Sequence, residues 1–303
     1  VGASKLLLGL CQVIDPVELT IVANTGDDIE LHGLRISPDL DTITYTLAGA
    51  VEDERGWGLT GETFRALEAL GRYGRETWFN LGDRDLATHL HRTELLCRGW
   101  TLAEVADEIR RAWGVGARIL PATNDRVESR VITDGGTLHF QEYLVRDRAR
   151  AAVRGIVLAG IEHARPTPGV LEAITTAEGI VVCPSNPIIS IGPIVGVKHV
   201  RESLREASAP VVAVSPVVAG ASLKGPTDKM LAGLGHEVSA LGVARLYGDF
   251  LNGFILDQQD AAQVPAVQAL GLRAWAAQTV MQTVEDKVGL AKVVIAALEE
   301  LRA

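Results

Sequence analysis

The chain of 303 residues is 47% hydrophobic and 22% charged and contains no apolar run long enough to cross a bilayer, which argues against a membrane role. Its formal net charge of -9 argues against general nucleic-acid affinity, because a chain that neutralises many phosphates carries a basic surface. Three widely separated cysteines, Cys11, Cys97 and Cys183, fit neither a disulfide framework nor a zinc site, and with no signal peptide visible the expected compartment is the cytoplasm.

Val1-Gly2-Ala3-Ser4-Lys5 reads as the end of a glycine-containing turn that opens a helix, so a strand and an upstream segment are expected before it. The free N–H groups of such a helix start suit a phosphate and Lys5 adds a charge, although a single glycine serves plain packing equally well. Residues 19–28, Leu-Thr-Ile-Val-Ala-Asn-Thr-Gly-Asp-Asp, read as a buried parallel strand running into an acidic turn. Ligands of parallel sheets bind beyond the carboxyl ends of the strands, so Asn24, Asp27 and Asp28 are expected at a crevice. Asp39 and Asp41 follow closely enough to face it as well. The plain alternative is a solvated Asx turn.

Residues 62–73 read as a helix. After it, Trp78-Phe79-Asn80-Leu81-Gly82-Asp83-Arg84-Asp85 has the chemistry of a small-molecule lip: aromatic faces for a flat ring and an amide for its polar edge. A helix cap by Asp83 is the simpler role for that residue, ahead of a helical run over 86–96. His89 and His91, two apart, point to different faces and make no metal pair. Thr101-Leu102-Ala103-Glu104 is a capping box opening a further helix. Three helices with no strand between them imply a lobe inserted beside the sheet, followed by a hairpin of strands 127–133 and 137–145 around Asp134-Gly135-Gly136. The expected fold is α/β: a Rossmann-like, mostly parallel sheet built from residues 1–55 and 150–303, with 56–149 forming the inserted helical lobe and hairpin.

From residue 155 the strand–helix alternation resumes, with strands at 155–158, 179–183, 210–214 and 254–257 and helices at 168–173, 198–207, 239–250 and 285–301. The loop Cys183-Pro184-Ser185-Asn186-Pro187-Ile188-Ile189-Ser190-Ile191-Gly192-Pro193 follows one of these strands. Its prolines cut its freedom before any ligand arrives, so Ser185, Asn186 and Ser190 are presented at low entropic cost. Lys224-Gly225-Pro226-Thr227-Asp228-Lys229 opens a helix and is either a phosphate contact or a solvated basic turn.

Asn24-Thr25-Gly26-Asp27-Asp28, Ser37-Pro38-Asp39-Leu40-Asp41-Thr42, Leu81 to His89, His139-Phe140-Gln141 and the Pro184 to Pro193 loop together resemble the 2-phospho-L-lactate transferase family. The likeness spans nearly the whole chain. It implies a Rossmann-like fold with an added lobe and a homodimer. It also implies Mg²⁺-dependent transfer of a phospholactyl, phosphoenolpyruvyl or related group from a guanosine diphosphate-linked donor to the terminal hydroxyl of the deazaflavin Fo, releasing GMP in coenzyme F420 biosynthesis. The family's glycine-rich turn is represented here only by Val1 to Lys5.

On this resemblance Asp41 and Asn80 contact Fo, with Asp83 and Arg84 nearby, and Gly2, Lys5, Asn24, Ser185, Asn186 and Pro187 line the nucleotide side. A diphosphate entering an acidic crevice is repelled unless a cation bridges it, which makes Asp27 and Asp41 the metal and catalytic candidates, with Asp28 and Asp39 left to cap or orient. Asp41 is alternatively the group that binds or deprotonates the attacking hydroxyl. A regulatory nucleotide-sugar-binding protein of a related family is the competing reading. It is disfavoured because Ile29-Glu30-Leu31-His32-Gly33 lacks the serine- and glycine-rich continuation associated with it. An NAD-dependent dehydrogenase rests on fold analogy alone.

Overall fold

The computed structural model describes residues 2–52 and 55–302, so Val1 of the opening motif lies outside the described residues. The expected α/β architecture is what the chain adopts. Strands Arg273–Ala277, Gly253–Asp257, Val211–Val214 and Ile180–Val182 lie in that order in one sheet, every neighbouring pair parallel. All residues of the two central strands are buried, which is why Val-Val-Ala-Val and Gly-Phe-Ile-Leu-Asp carry no alternation: helices cover both faces. Thr20–Ala23 pairs in parallel with Arg118–Pro121, a strand the sequence reading does not contain. Both pack into the same core as the large sheet, with Ile21, Ala23 and Ile119 clustering with Val212, Val214, Ile255 and the closing helix Val284–Arg302.

The three consecutive helices are present as Arg65–Arg72, Asp85–Cys97 and Leu102–Ala112. The capping box of the last is complete, with Thr101 accepting from Glu104 N and Glu104 accepting from Thr101 N. No helix is long and apolar enough to cross a membrane among the described residues.

Two expectations after residue 127 are corrected. Glu128–Thr133 and Gly136–His139 form the hairpin, but its second strand stops at His139, where Glu142 accepts the His139 N–H at 2.9 Å and the chain turns into one wide helical turn, Glu142–Arg146. Gln141 and Tyr143 therefore lie beyond the end of the strand that the pattern extends to residue 145. Gly155–Ala159 does not resume the parallel alternation; it pairs antiparallel with Glu128–Thr133 and makes a separate three-stranded sheet. A short hairpin, Ile29–Leu31 with Leu34–Ile36, also appears after the acidic turn, reversing at His32 and Gly33, both with positive φ as a type I′ turn requires.

Candidate active site

The strand Thr20–Ala23 ends in Asn24, and the turn to Asp28 is buried throughout. Asn24 joins three elements: its Oδ1 accepts from Gly26 N at 2.8 Å, and its Nδ2 donates to Asp39 Oδ2 at 2.8 Å and to the Ile189 carbonyl at 3.2 Å. The proline-rich loop and the start of the helix Pro38–Leu47 are thereby tied to one amide. The approach is close enough that a Cβ on Gly26 would lie 2.7 Å from Ser129 Oγ and 2.9 Å from Pro193 Cγ, so glycine is required there. Asp28 accepts from Ser37 Oγ at 2.6 Å. On the far side, the sheet of residues 128–139 and the residues just after it hold the turn's carbonyls, Gly26 O by Ser129 N at 2.7 Å, Asp27 O by Gln141 Nε2 at 3.3 Å and Asp28 O by His139 Nε2 at 3.1 Å.

The four acids divide by what neutralises them. Burial pushes Asp27 well above the usual carboxylate range, and the Asp39 charge adds to it against the hydrogen-bonding help of Asn24 and Ser129. Asp27 Oδ1, Asp28 Oδ1 and Ser129 Oγ are buried without completing a hydrogen bond. Burial likewise raises Asp39, eased by Asn24. Asp28 is pushed up to about 7 by burial, partly offset by Ser37 and Arg92.

Asp41 sits differently. Both its oxygens are engaged by the guanidinium of Arg92, Nη1 at 3.1 Å and Nη2 closer, and Arg92 is itself among the most buried side chains of the protein. Burial works against the charge of Arg92, but the Asp41 carboxylate outweighs it and holds the guanidinium above its ordinary range. His89 Nδ1 accepts from Arg92 at 3.2 Å and its Nε2 lies 3.3 Å from Asp85 Oδ2. Tyr45 donates to Asp85 at 2.7 Å and accepts from Thr88 at 2.7 Å; burial, then the charges of Asp41 and Asp85, keep it a phenol. Against its own burial, Asp85 is held below the usual range by His89 and Tyr45. Asp41, Asp85 and His89 each offer one ligand atom within 4.8 Å of the others, a group that could hold a metal ion.

The remaining expected residues are spread along the rim. Asn80 is exposed beside the T-shaped pair Trp78–Phe79, while Leu81 is buried with Ile29 and Ile36. Asp83 does cap a helix, but the preceding one: it accepts from Arg65 N at 3.1 Å and Ala66 N at 2.9 Å. Glu62 returns the exchange, accepting from Arg84 N at 2.6 Å and Asp85 N at 3.2 Å at the start of the next helix. Arg84 Nη1 donates to Thr60 O at 2.7 Å.

On the other wall, a Cβ on Gly2 would come within 2.1 Å of the Pro184 carbonyl, so the first helix starts directly against the proline loop. Lys5 Nζ donates to Met281 O at 2.7 Å. Asn186 is turned inward, its Oδ1 accepting from Ile188 N at 2.9 Å and its Nδ2 meeting Met230 Sδ at 3.3 Å; Pro187 is buried and Ser185 half-buried.

Sequence reasoning did not find Tyr45, Arg92 or Ser129, and it gave Asp85 and Ser37 no part beyond the motifs that contain them, nor His89 the part it plays. A signal was present: Asp85, Thr88, His89 and Arg92 fall at i, i+3, i+4 and i+7, a polar stripe on one helix face that comparing His89 only with His91 overlooks.

The family model described as 2-phospho-L-lactate transferase CofD matches residues 1–293. Over the full chain and 97% of its own length, a phosphoenolpyruvate transferase of Streptomyces griseus is 45% identical. A 2-phospho-L-lactate transferase of Methanosarcina mazei is 39% identical over 98% of this chain and 97% of its own. Among solved structures, a UPF0052-family protein from Bacillus halodurans superposes with a TM-score of 0.62 at 16% identity, covering 97% of this chain and 96% of that one, a likeness of fold.

Proposed function

The chain belongs to the CofD family of 2-phospho-L-lactate transferases, and on that premise we propose that it transfers a phosphoenolpyruvyl or phospholactyl group from a guanosine diphosphate-linked donor to the terminal hydroxyl of the deazaflavin Fo, releasing GMP in coenzyme F420 biosynthesis. The observation that carries the reading is the Asn24 junction, where one side chain ties the acidic turn both to Asp39 and to the proline-rich loop at Ile189. This supports a metal-bearing wall and a nucleotide wall facing the same molecule. Phosphoenolpyruvyl is favoured as the group transferred, because the Streptomyces griseus phosphoenolpyruvate transferase is 45% identical against 39% for the Methanosarcina mazei 2-phospho-L-lactate transferase.

Whether the acids fit magnesium turns on what already neutralises them. Asp27 and Asp28 each have a buried oxygen without a partner, but Arg92 and Ser37 already ease the charge of Asp28 whereas Asp39, across Asn24, adds to the burden on Asp27, so Asp27 and Asp39 fit a hard cation that takes one or two carboxylates. Arg92 occupies both oxygens of Asp41 and supplies the charge in the Asp41–Asp85–His89 group, which favours the alternative part for Asp41, at the acceptor. Magnesium, when bound, offsets the charge of the donor's diphosphate. In this reading Asp27 and Asp39 hold the cation, and Asp41, held by Arg92, supports the acceptor side of the site from beneath it. Asn80 meets the polar edge of Fo, on a lip that Asp83 and Arg84 hold in shape. Gly2, Lys5, Asn24, Ser185, Asn186 and Pro187 make up the nucleotide side, with Asn186 and Pro187 acting through the shape of the loop. A homodimer is expected, to be read by sedimentation equilibrium.

The deciding experiment incubates the purified protein with Fo, Mg²⁺ and each guanylated three-carbon acid and weighs the products. Formation of the phosphoenolpyruvyl-Fo diester together with GMP is expected. No product from any donor, with calorimetric binding of a UDP-sugar in its place, overturns the reading in favour of a nucleotide-sugar-binding protein.

A further inference from the structure

The acidic turn is gripped from outside the site. Three successive peptide carbonyls, Gly26, Asp27 and Asp28, each accept a hydrogen bond from the antiparallel sheet or the residues just after it: the Ser129 N–H at 2.7 Å, the Gln141 amide at 3.3 Å and the His139 ring at 3.1 Å. Gln141 is 6% exposed, so its amide is placed for this contact and not for solvent. The histidine's tautomer follows from its second bond. His139 Nδ1 accepts from Gln141 N at 3.1 Å, which puts the ring proton on Nε2, facing the Asp28 carbonyl. Neither residue touches a carboxylate of the turn in these bonds. They act on its peptide planes.

We propose that His139 and Gln141 are positioning residues that lock the Gly26–Asp28 peptides with their carbonyls turned toward the antiparallel sheet, so that the negative ends of these dipoles point away from the space an anionic substrate enters and the Asp27 side chain stays aimed at its cation. A peptide flip in this turn would add partial negative charge to a wall that already carries uncompensated carboxylates. Two side-chain donors on adjoining carbonyls prevent it, and the stretch Glu128–Gln141 becomes part of the site without contacting substrate. The inference rests on the transferase reading for the identity of the anion, but the lock itself is a statement about the turn.

The test uses Gln141→Glu, which keeps the shape and places an acceptor against the Asp27 carbonyl, His139→Phe, which removes the ring donor, and His139→Gln, which restores an N–H at similar reach. Mn²⁺ binding is followed by water-proton relaxation, backbone exchange over residues 24–28 by hydrogen–deuterium exchange, and transfer by GMP release. Expected are about ten-fold weaker Mn²⁺ binding in Gln141→Glu and His139→Phe, faster exchange confined to 24–28, a fall in kcat with an unchanged KM for Fo, and substantial recovery in His139→Gln. Unchanged Mn²⁺ affinity and exchange in both damaging variants overturns the proposal, as does failure of His139→Gln to recover either. Should the wild-type chain transfer nothing yet show the exchange and Mn²⁺ pattern, the transferase reading fails and the lock stands.

Discussion

Two pairs of carboxylates, Asp41 with Asp85 and Asp27 with Asp39, each with one buried and one half-buried member, solve the same electrostatic problem in opposite ways. Asp41 and Asp85 come with cation and donors built in: Arg92 grips Asp41, and His89 and Tyr45 serve Asp85. Asp27 and Asp39 have an amide and an incomplete hydroxyl contact between them, and among the described residues no cationic side chain is bonded to either. Taking a carboxylate out of water costs several kcal/mol unless something repays it. The charge of the first group is therefore offset by the fold, although His89 Nε2 completes no hydrogen bond there, whereas the second has no built-in cation and is left for something that arrives from outside. That difference is the strongest physical argument for which acids meet the metal.

The largest effect should come from unfinishing the finished group. Arg92→Met leaves Asp41 buried and unpaired, and a loss of about 3–5 kcal/mol in unfolding free energy by urea titration is expected. Adding Asp41→Leu to it should recover most of that loss, since a buried ion pair and a well-packed apolar pair are often near parity. If Arg92→Met alone is silent, the contrast between the two groups collapses.

The second expected effect has the opposite sign. Asp27→Asn removes a carboxylate that burial and Asp39 both disfavour, so the metal-free protein should gain about 1 kcal/mol, as functional residues often cost stability. Stabilisation by added Mg²⁺, seen as a rise in Tm for the wild type, should disappear in this variant, and transfer with it. A variant that stays as responsive to Mg²⁺ as the wild type would move the cation elsewhere, to the Asp41–Asp85–His89 group first.

How much of this was legible in the sequence follows from the range of the interactions. The buried strand into Asn24-Thr25-Gly26-Asp27-Asp28, the capping box at Thr101 and the central strands around Val211 and Phe254 all leave local patterns, and they are where the sequence puts them. Arg92 leaves none. A basic residue on an amphipathic helix reads as solvated, and its partner Asp41 is 51 positions away. The strand Arg118–Pro121 escapes for a related reason: Arg-Ile-Leu-Pro is too short to show a period, and its pairing with Thr20–Ala23 is long-range. The ending of the hairpin at His139 depends on one carboxylate, Glu142, that any strand pattern would count as an outward-facing residue.

A smaller effect checks the rim. Asp83→Ala removes the cap of the Arg65–Arg72 helix and should lower the urea midpoint slightly. Because Glu62 and Asp83 cap across each other, the loss should also loosen the lip around Asn80 and raise the KM for Fo more than it lowers kcat. An equal fall in both kcat and kcat/KM would instead give Asp83 a part in the transition state.

The smallest effect concerns a third way of compensating an acid, at the surface. Asp249 accepts from Arg201 Nε at 2.8 Å and from Arg205 Nε at 2.7 Å, and the Arg201 hydrogen bond does most to hold it down at about 2. Its carboxyl is lowered on folding, so its contribution is present in full above the unfolded value of about 3.9 and is lost as pH falls from there through about 2. A third of the side chain is open to water, which screens the pair, and Asp249→Asn should cost only about 0.5 kcal/mol at pH 7. The cost should shrink between pH 4 and pH 3 as the wild type begins to lose what the variant never had, and it should shrink with added salt at pH 7. The Arg92–Asp41 pair, sealed from water, should show no such salt dependence, because screening needs ions to reach the charges. Equal salt sensitivity in Arg92→Met and Asp249→Asn would mean that the buried group is more open than its packing indicates, and that the two groups of acids differ in degree and not in kind.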